Sequence, residues 1–410
     1  MIGEKGDLNM KRLSVILALF VLLTAGCLQF NSSGANPNKP VQPDDPASRT
    51  ESKGGGGATE PSVVSDLNLE NIEGGIKNIY YAHGNQVLIS ADQLYLYDLG
   101  ARKIAASAPQ PAFERENYWV IENGYAAVRE TLVSGDGGGL VMTNGANQYH
   151  CILYDANLQP ISEFDLDSLL EGDEMILSFE AIAVSADGSQ VAYATSAGLY
   201  LYDWQAEKKT TIIDLASDDA APRSGIVALE QIGFTDQDKR LAFKAQSFDI
   251  PAVPGKPSFD TCGIVNTNGS GLSNQTFDNY TCKELTAYNK HLFLAEDFTA
   301  ATGRMLVMDA LSGKTKLITL NEKKESGNIT GSNSGRYFAA PVSDGSGWRI
   351  RIYNTDTGAV EAEQLISSEG KELYMANEPI IKLVDETRTC IVLLGSKQAE
   401  IDTKMVVSQF

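Results

Sequence analysis

Short apolar runs alternate with polar turns along most of the chain, and one version of this pattern recurs. The stretch LYLYDWQAEKKTTIIDL at 199–215 joins an apolar strand to a turn that begins at an Asp, and a second strand follows. An Asp or Asn is typical of this position, because its side chain can accept a hydrogen bond from the backbone two residues on. Related copies recur at intervals of roughly 40–60 residues. Their turn residues are Asp98, Asp155, Asp203, Asn266, Asp309, Asn354 and Asp402.

A further pair of short strands precedes most copies. AVSADGSQVAYATSAG precedes the copy at Asp203, and KLVDETRTCIVLLG precedes the copy at Asp402. Two strand pairs give four strands per repeat, which is the blade of a β-propeller. The pattern therefore predicts an all-β fold over residues 62–410, a β-propeller of seven four-stranded blades. Six or eight blades are the alternatives, because the second copy is poorly matched.

The sequence SADGSQVAY followed by LYLYD resembles the WD-repeat-like and TolB-like propellers of exported bacterial proteins, over roughly residues 75–410. This resemblance implies the same ring of blades. The chain departs from true WD repeats, because no Trp-Asp dipeptide closes the blades and no Gly-His dipeptide opens them. The Asp–His network of true WD repeats is therefore not implied.

The N-terminus has the features of a secretory signal. Lys11 and Arg12 precede an apolar run at 13–23, and Thr24-Ala25-Gly26-Cys27 follows. The pattern predicts a signal peptide at 1–26, in which residues 1–9 come from an upstream start. The alternative is a transmembrane anchor, although the apolar run is shorter than the roughly 20 residues that a span needs.

The small residues before Cys27 resemble the lipobox of bacterial lipoproteins, with Thr24 where Leu is commonest. The resemblance implies that Cys27 is lipidated, with acyl chains such as palmitate, and becomes the new N-terminus. Residues 27–61 are rich in Ser, Gly, Asn and Pro, which predicts a flexible linker. We therefore expect a lipid-anchored protein at the extracytoplasmic face of the cell membrane.

Net charge argues against two classes of partner. The chain carries a formal charge of −20, with 53 acidic and 33 basic residues. Nucleic acids and anionic lipid surfaces both require a basic footprint, so neither is expected. One acidic run stands out as a candidate binding loop for a cationic partner or a divalent cation, and the alternative is a loop that is merely solvated. Its residues are Glu163, Asp165, Asp167, Glu171, Asp173 and Glu174.

The cysteines beyond Cys27 fall into two groups. Cys262 and Cys282 flank a stretch that reads as two strands around a Gly/Asn-rich turn, which would place them near each other across an antiparallel pair. An exported compartment permits oxidation, so we expect a disulfide there. Cys151 and Cys390 lie in apolar runs and are expected to be buried thiols.

The predicted blades also sort the connections between strands. Second-to-third and inter-blade connections emerge on one face of a propeller, and the other turns emerge on the opposite face. The longest insertions, at 134–150 and 247–261, and the inter-blade connections at 161–179, 215–229 and 364–379 all fall on the first face. Long loops in compact domains are often functional, so this face is expected to bind the partner.

Catalytic and cofactor motifs are weak. The chain has no G-x-S-x-G nucleophile elbow and only three histidines, so neither a cofactor nor a bound metal is expected. The sequence thus favours a binding or scaffold module for a protein or glycan partner, either a monomer or part of an envelope complex. The alternative is a propeller hydrolase or lyase with a carboxylate or metal site at the central channel.

Overall fold

Seven four-stranded antiparallel sheets make up the folded part of the chain, as the computed structural model shows. This confirms the all-β propeller and the count of seven blades. The structure describes residues 63–410 except 65–68, 70–71, 73–74, 111–112, 114, 133–146, 216–225, 248–259, 277–279, 286–290, 297–301, 328 and 396–402.

In the first six blades, four strands that are consecutive in the chain pair in sequence order. Blade 1 comprises β2 (Asn78–His83), β3 (Gln86–Ser90), β4 (Leu94–Asp98) and β5 (Lys103–Ala108). Blade 2 comprises β6 (Arg115–Ile121), β7 (Gly124–Leu132), β8 (Asn147–Asp155) and β9 (Pro160–Asp165). Blade 3 comprises β10 (Ile182–Val184), β11 (Gln190–Thr195), β12 (Gly198–Asp203) and β13 (Lys208–Asp214). Blade 4 comprises β14 (Ile226–Thr235), β15 (Arg240–Ser247), β16 (Asp260–Asn266) and β17 (Ser273–Thr276). Blade 5 comprises β18 (Tyr280–Leu285), β19 (His291–Glu296), β20 (Arg304–Asp309) and β21 (Thr315–Thr319). Blade 6 comprises β22 (Thr330–Gly331), β23 (Tyr337–Ser343), β24 (Gly347–Asn354) and β25 (Val360–Ser367).

The seventh blade is completed by the N-terminal part of the chain. Its first three strands are β26 (Ile380–Val384), β27 (Thr389–Leu394) and β28 (Lys404–Gln409), and its fourth is β1 (Val63–Val64). Within the β1–β28 pair, Val63 lies opposite Ser408 and Val64 lies opposite Val407. The two ends of the folded chain therefore close the ring within one sheet.

This closure corrects the expectation for the last repeat. Position 402 was predicted to start the turn between the third and fourth strands of the seventh blade. Because β28 pairs with β27 and is the third strand, position 402 precedes that strand. Asp402 itself lies outside the described residues.

Neighbouring blades pack face to face, and their first strands lie nearest the axis of the ring. The strand β2 contacts both β26 and β6, and β14 contacts both β10 and β18. Between blades 3 and 4, Leu199 and Leu201 pack in one apolar cluster with Phe234 and Phe243. Burying an aromatic or aliphatic side chain of this size contributes roughly 1.5–3 kcal/mol, so these interfaces stabilise the ring.

One glycine in blade 4 is required by packing. The ring of Phe243 lies so close to Gly263 that a Cβ at position 263 would approach Phe243 Cζ within 2.0 Å. The two residues are directly opposed on β15 and β16. A larger side chain at position 263 would therefore displace a fully buried ring.

The turns between third and fourth strands are held by local side-chain bonds. Asp203 Oδ1 accepts hydrogen bonds from the backbone N–H groups of Gln205 and Ala206, at 3.0 and 2.9 Å. Related bonds from backbone N–H groups two to four residues on reach a side-chain oxygen in four other blades, at Asp98, Asp155, Asp309 and Asn354.

The turn at Asn266 is closed differently. Its backbone carbonyl accepts the N–H of Gly269, and its side-chain amide donates to Ser270 Oγ at 2.9 Å. The side-chain oxygen that caps this turn belongs instead to Asn268, whose Oδ1 accepts the backbone N–H of Ser270 at 3.0 Å.

Substituting Asp203 tests the capping of these turns. We expect Asp203→Ala to lower the free energy of unfolding by about 1 kcal/mol, because two backbone N–H groups lose their acceptor. Asp203→Asn is the matched control, since its side-chain carbonyl can accept the same bonds. Chemical denaturation of both variants measures the difference, and equal midpoints would show that the side-chain oxygen contributes nothing.

Candidate functional site

Two faces of the ring differ in how their connections are made. We call the face that carries the first-to-second and third-to-fourth turns the turn face, and the face that carries the second-to-third and inter-blade connections the loop face. The connections 133–146 and 248–259 join the second and third strands of blades 2 and 4, so both leave from the loop face, although they lie outside the described residues. The inter-blade connections are shorter than expected, because 161–165, 226–229 and 364–367 belong to strands.

On the turn face, connections of neighbouring blades bind each other. Asp238 Oδ2 accepts the backbone N–H of Ala186 at 2.9 Å, from blade 4 to blade 3. Asp385 Oδ2 accepts the N–H of Ser334 at 3.0 Å, from blade 7 to blade 6. These bonds use the polar groups of the turns to hold adjacent blades together.

The acidic run between blades 2 and 3 is divided among separate interactions. Glu163 and Asp165 lie on β9 and are exposed, and Asp165 Oδ1 lies 2.5 Å from His150 Nδ1. Asp167 is half-buried and accepts the backbone N–H of Tyr149 at 2.6 Å. Burial raises the pKa of the Asp167 carboxyl, against the lowering effect of that hydrogen bond.

The second half of the run binds a lysine of blade 3. Lys209 Nζ donates to the carbonyl of Leu169 at 3.0 Å, and it lies 3.2 Å from Glu171 Oε1 and 3.4 Å from Glu174 Oε2. The same ammonium lies 4.3 Å from the centre of the Tyr200 ring, a favourable cation–π distance. We call Lys209, Tyr200, Glu171 and Glu174 the lysine clamp.

The clamp docks the connection 166–181 onto blade 3. Tyr200 also donates its hydroxyl to Glu174 Oε1 at 2.6 Å, so the carboxylate and the ring are fixed together. Asp173 remains exposed on the same connection. The carboxylates of the acidic run are therefore divided among separate interactions and do not form one continuous acidic patch. The composition of the run alone did not indicate this division.

Within the described part of the chain, no group of three His, Cys, Asp or Glu residues could hold a metal ion.

A carboxylate near the axis is enclosed by protein. Glu116 lies on β6, its side chain is fully buried, and it accepts hydrogen bonds from Arg129 Nε and from the Gln110 amide. Arg129 also donates to the Tyr118 hydroxyl at 3.0 Å. Burial raises the pKa of Glu116 despite its arginine partner. This network is a buried link between the first two strands of blade 2.

A cavity of about 570 Å³ opens on the loop face at blade 6. Three connections border it: the 3₁₀ helix Lys323–Gly327 between blades 5 and 6, the turn after β23, and the segment that precedes β26. Small-molecule sites in proteins commonly enclose roughly 300–1,000 Å³, so its size suits a small ligand or a side chain. We call it the blade-6 cavity; its lining residues are Lys324, Pro341, Val342, Ser343, Asp344, Gly345, Trp348 and Glu378.

The inner wall of this cavity is apolar and its rim is charged. Trp348 is 7% exposed, and its indole N–H donates to the carbonyl of Tyr374 at 2.8 Å. At the rim, Asp344 Oδ1 accepts the N–H groups of Ser346 and Gly347, both at 2.9 Å. Hydrogen bonds from Ser346 hold the pKa of Asp344 below its usual value.

The 3₁₀ helix Lys323–Gly327, which borders the cavity, is held to blade 6 by a buried ion pair. Glu325, in the 3₁₀ helix, is buried and accepts from Arg351 Nη1 at 2.7 Å and from the Tyr353 hydroxyl at 2.8 Å. Arg351 also contacts Glu363 on β25 at 2.5 Å. These bonds fix the helix that presents the exposed Lys324 to the cavity.

The blade-6 cavity was not predicted from sequence. Its residues come from three connections that are distant in the chain, and only the turn SDGSGW at 343–348 is a local signal. That turn shows the Asp, Gly and Ser expected of a tight turn next to a Trp.

The cysteines follow the sequence prediction in part. Cys151 and Cys390 are buried, as expected, and burial raises the pKa of the Cys390 thiol to about 12. The antiparallel arrangement of Cys262 and Cys282 was wrong: Gln275 lies opposite Cys262, and Cys282 lies on β18 in the next blade. Because β16 contacts β18 between these blades, a disulfide stays a prediction, now between blades.

Comparison with known proteins adds no relative: no family model matches the chain, and no curated protein matches it. Among the residues that the structure describes, no helix has the length and apolar character needed to cross a membrane.

Removing the clamp charge tests whether the acidic connection is docked. We expect Lys209→Met to increase hydrogen exchange of the connection 166–181 about fivefold, because ion pairs that are partly exposed contribute up to roughly 1 kcal/mol and local opening sets the exchange rate. Lys208→Met is the matched control, since the neighbouring Lys208 is exposed. Exchange measured by mass spectrometry on the peptide 166–181 should differ between the variants, and equal rates would contradict the docking role.

Proposed function

We propose that this chain is an extracytoplasmic, lipid-anchored β-propeller that acts as a binding or scaffold module, and that its loop face recognises a protein or glycan partner. The fold supports a binding role, because propellers present extended faces built from many independent connections. The loop face supplies the longer connections, and longer loops are preferred sites of recognition.

One observation carries the proposal: the two faces use their polar groups differently. Turn-face carboxylates such as Asp238 and Asp385 bind backbone N–H groups of the neighbouring blade. On the loop face, Asp344, Lys324 and Glu378 are exposed around the blade-6 cavity. A partner would therefore meet charged groups and an apolar wall on the loop face, whereas Asp238 and Asp385 on the turn face are bound to the neighbouring blade.

The proposed location rests on the N-terminal sequence. Lipidation of Cys27 would tether the propeller through the linker 27–61, and two acyl chains anchor a protein far more firmly than one. The length and composition of that linker would let the loop face orient freely toward its partner.

Capture of partners from a membrane fraction tests the function. We expect the full chain to cross-link to a defined set of envelope components, and a variant with 134–146 and 248–259 replaced by short Gly-Ser turns to lose most of that set while retaining its melting temperature. Asp356→Asn, a turn-face change, serves as the control. Identical captured sets for the wild type and the loop variant would contradict the proposal.

The same preparation tests the anchor. We expect Cys27→Ala to move the protein into the soluble fraction while the captured set stays the same, because the propeller itself is unchanged. Unchanged partitioning of the Cys27→Ala variant would contradict lipidation.

A further inference from the structure

We propose that the blade-6 cavity binds a lysine or arginine side chain of a protein partner. This inference rests on the proposed function and specifies it, since it names the chemical group that the loop face recognises. An apolar wall and two carboxylates at the rim suit such a side chain, and the molecule surrounds its own cations with similar groups.

The wall of the cavity suits the stem of a long side chain. Trp348 and Val342 line the cavity, and each is 7% exposed, so both are firmly packed in the wall. The Trp348 indole is held by its hydrogen bond to the carbonyl of Tyr374, a residue of the short helix Leu373–Ala376. Lysine and arginine pack their methylene groups along apolar surfaces while the charged ends stay at polar sites, which matches an apolar wall below a charged rim.

The rim supplies charge of the opposite sign. Asp344 and Glu378 line the cavity from two different connections and are exposed. The carboxylate of Asp344 is held in place, because its Oδ1 accepts the bonds that close its own turn. The whole chain carries a formal charge of −20, so its field also attracts cationic groups toward such a site.

Lys324 contributes charge of the same sign as the ligand. It is exposed at the rim, on the helix that Glu325 and Arg351 fix to blade 6. A cationic ligand is therefore repelled by Lys324 and attracted by Asp344 and Glu378. Removing the charge of Lys324 should therefore increase the affinity for a cation, and removing the charge of Asp344 or Glu378 should decrease it.

The molecule itself holds cations in the same way elsewhere. In the lysine clamp, an aromatic ring and two carboxylates surround Lys209. On the turn face, Arg388 lies 5.4 Å from the Tyr337 ring centre and 3.1 Å from Glu361. The blade-6 cavity also brings a tryptophan and two carboxylates together, and it opens to the solvent.

Titration of the Trp348 indole signal measures this binding directly. The protein is the full chain carrying Cys27→Ala with ¹⁵N-labelled tryptophan, which gives indole signals from Trp119, Trp204 and Trp348. The probes are Nα-acetyl-lysine methylamide and Nα-acetyl-arginine methylamide, with Nα-acetyl-norleucine methylamide as the neutral control and N-acetylglucosamine as the glycan alternative. We expect a saturable shift of the Trp348 signal with the cationic probes, no saturable shift with the two neutral probes, and unchanged signals from Trp119 and Trp204.

Charge variants determine whether the rim is responsible. We expect Asp344→Asn and Glu378→Gln each to raise the Kd of the cationic probes about fivefold, and Lys324→Gln to lower it about twofold. The Asn at position 344 keeps a carbonyl oxygen for the turn, so a loss of affinity reports the charge. Asp356→Asn, which removes one exposed carboxylate from the turn face of the same blade, should leave the Kd unchanged.

Several results would overturn the inference. It fails if the cationic probes cause no saturable Trp348 shift, if norleucine or N-acetylglucosamine binds as tightly, or if Asp356→Asn weakens binding as much as Asp344→Asn. Its failure is distinguishable from that of the proposed function: loss of partner capture on replacing the long loops would support the binding module even if no cationic probe binds at blade 6.

Discussion

Pairing between the two ends of the folded chain is the constraint on which the architecture depends. Every blade buries both of its faces against neighbours, so a row of sheets leaves two apolar faces uncovered unless it closes into a ring. The β1–β28 pair places residues from both ends in one sheet, and Ile79 and Val87 of blade 1 pack with Ile391 and Val407 of blade 7. Closure therefore covers the last two faces and also removes the free ends that an open array of repeats would present.

Closure also decides where connections emerge. Because each blade runs its strands antiparallel from the axis outward, all second-to-third connections share one face. The loop face thus combines connections from distant parts of the sequence, and the blade-6 cavity is an example. The turn face combines short turns, two of which, at Asp238 and Asp385, bind the neighbouring blade through a carboxylate. The partner site that we propose on the loop face thus lies opposite the face whose carboxylates link neighbouring blades.

The features that could be predicted from sequence are local ones. The Asp and Asn turns were visible because their hydrogen bonds span only two to four residues, and six of the seven predicted positions lie at third-to-fourth turns, whereas position 402 precedes a third strand. Strand β1 could not be recognised, since only two residues pair and their partners lie at the other end of the chain. The acidic run was visible as composition, but its partner Lys209 lies on blade 3, 35 residues from Glu174 and 38 residues from Glu171. The blade-6 cavity requires three connections at once, which no local pattern shows.

Cross-linking the two ends of the ring tests the central claim most directly. Val64 and Val407 are directly opposed, and opposed Cα atoms in antiparallel pairs lie roughly 4.5–5.5 Å apart, within disulfide range. We predict that Val64→Cys combined with Val407→Cys forms a disulfide under mild oxidation and raises the denaturation midpoint, whereas Val64→Cys combined with Lys404→Cys, three positions out of register, does not. Equal cross-linking in both pairs, or none in the first, would contradict closure of the ring by the N-terminal strand.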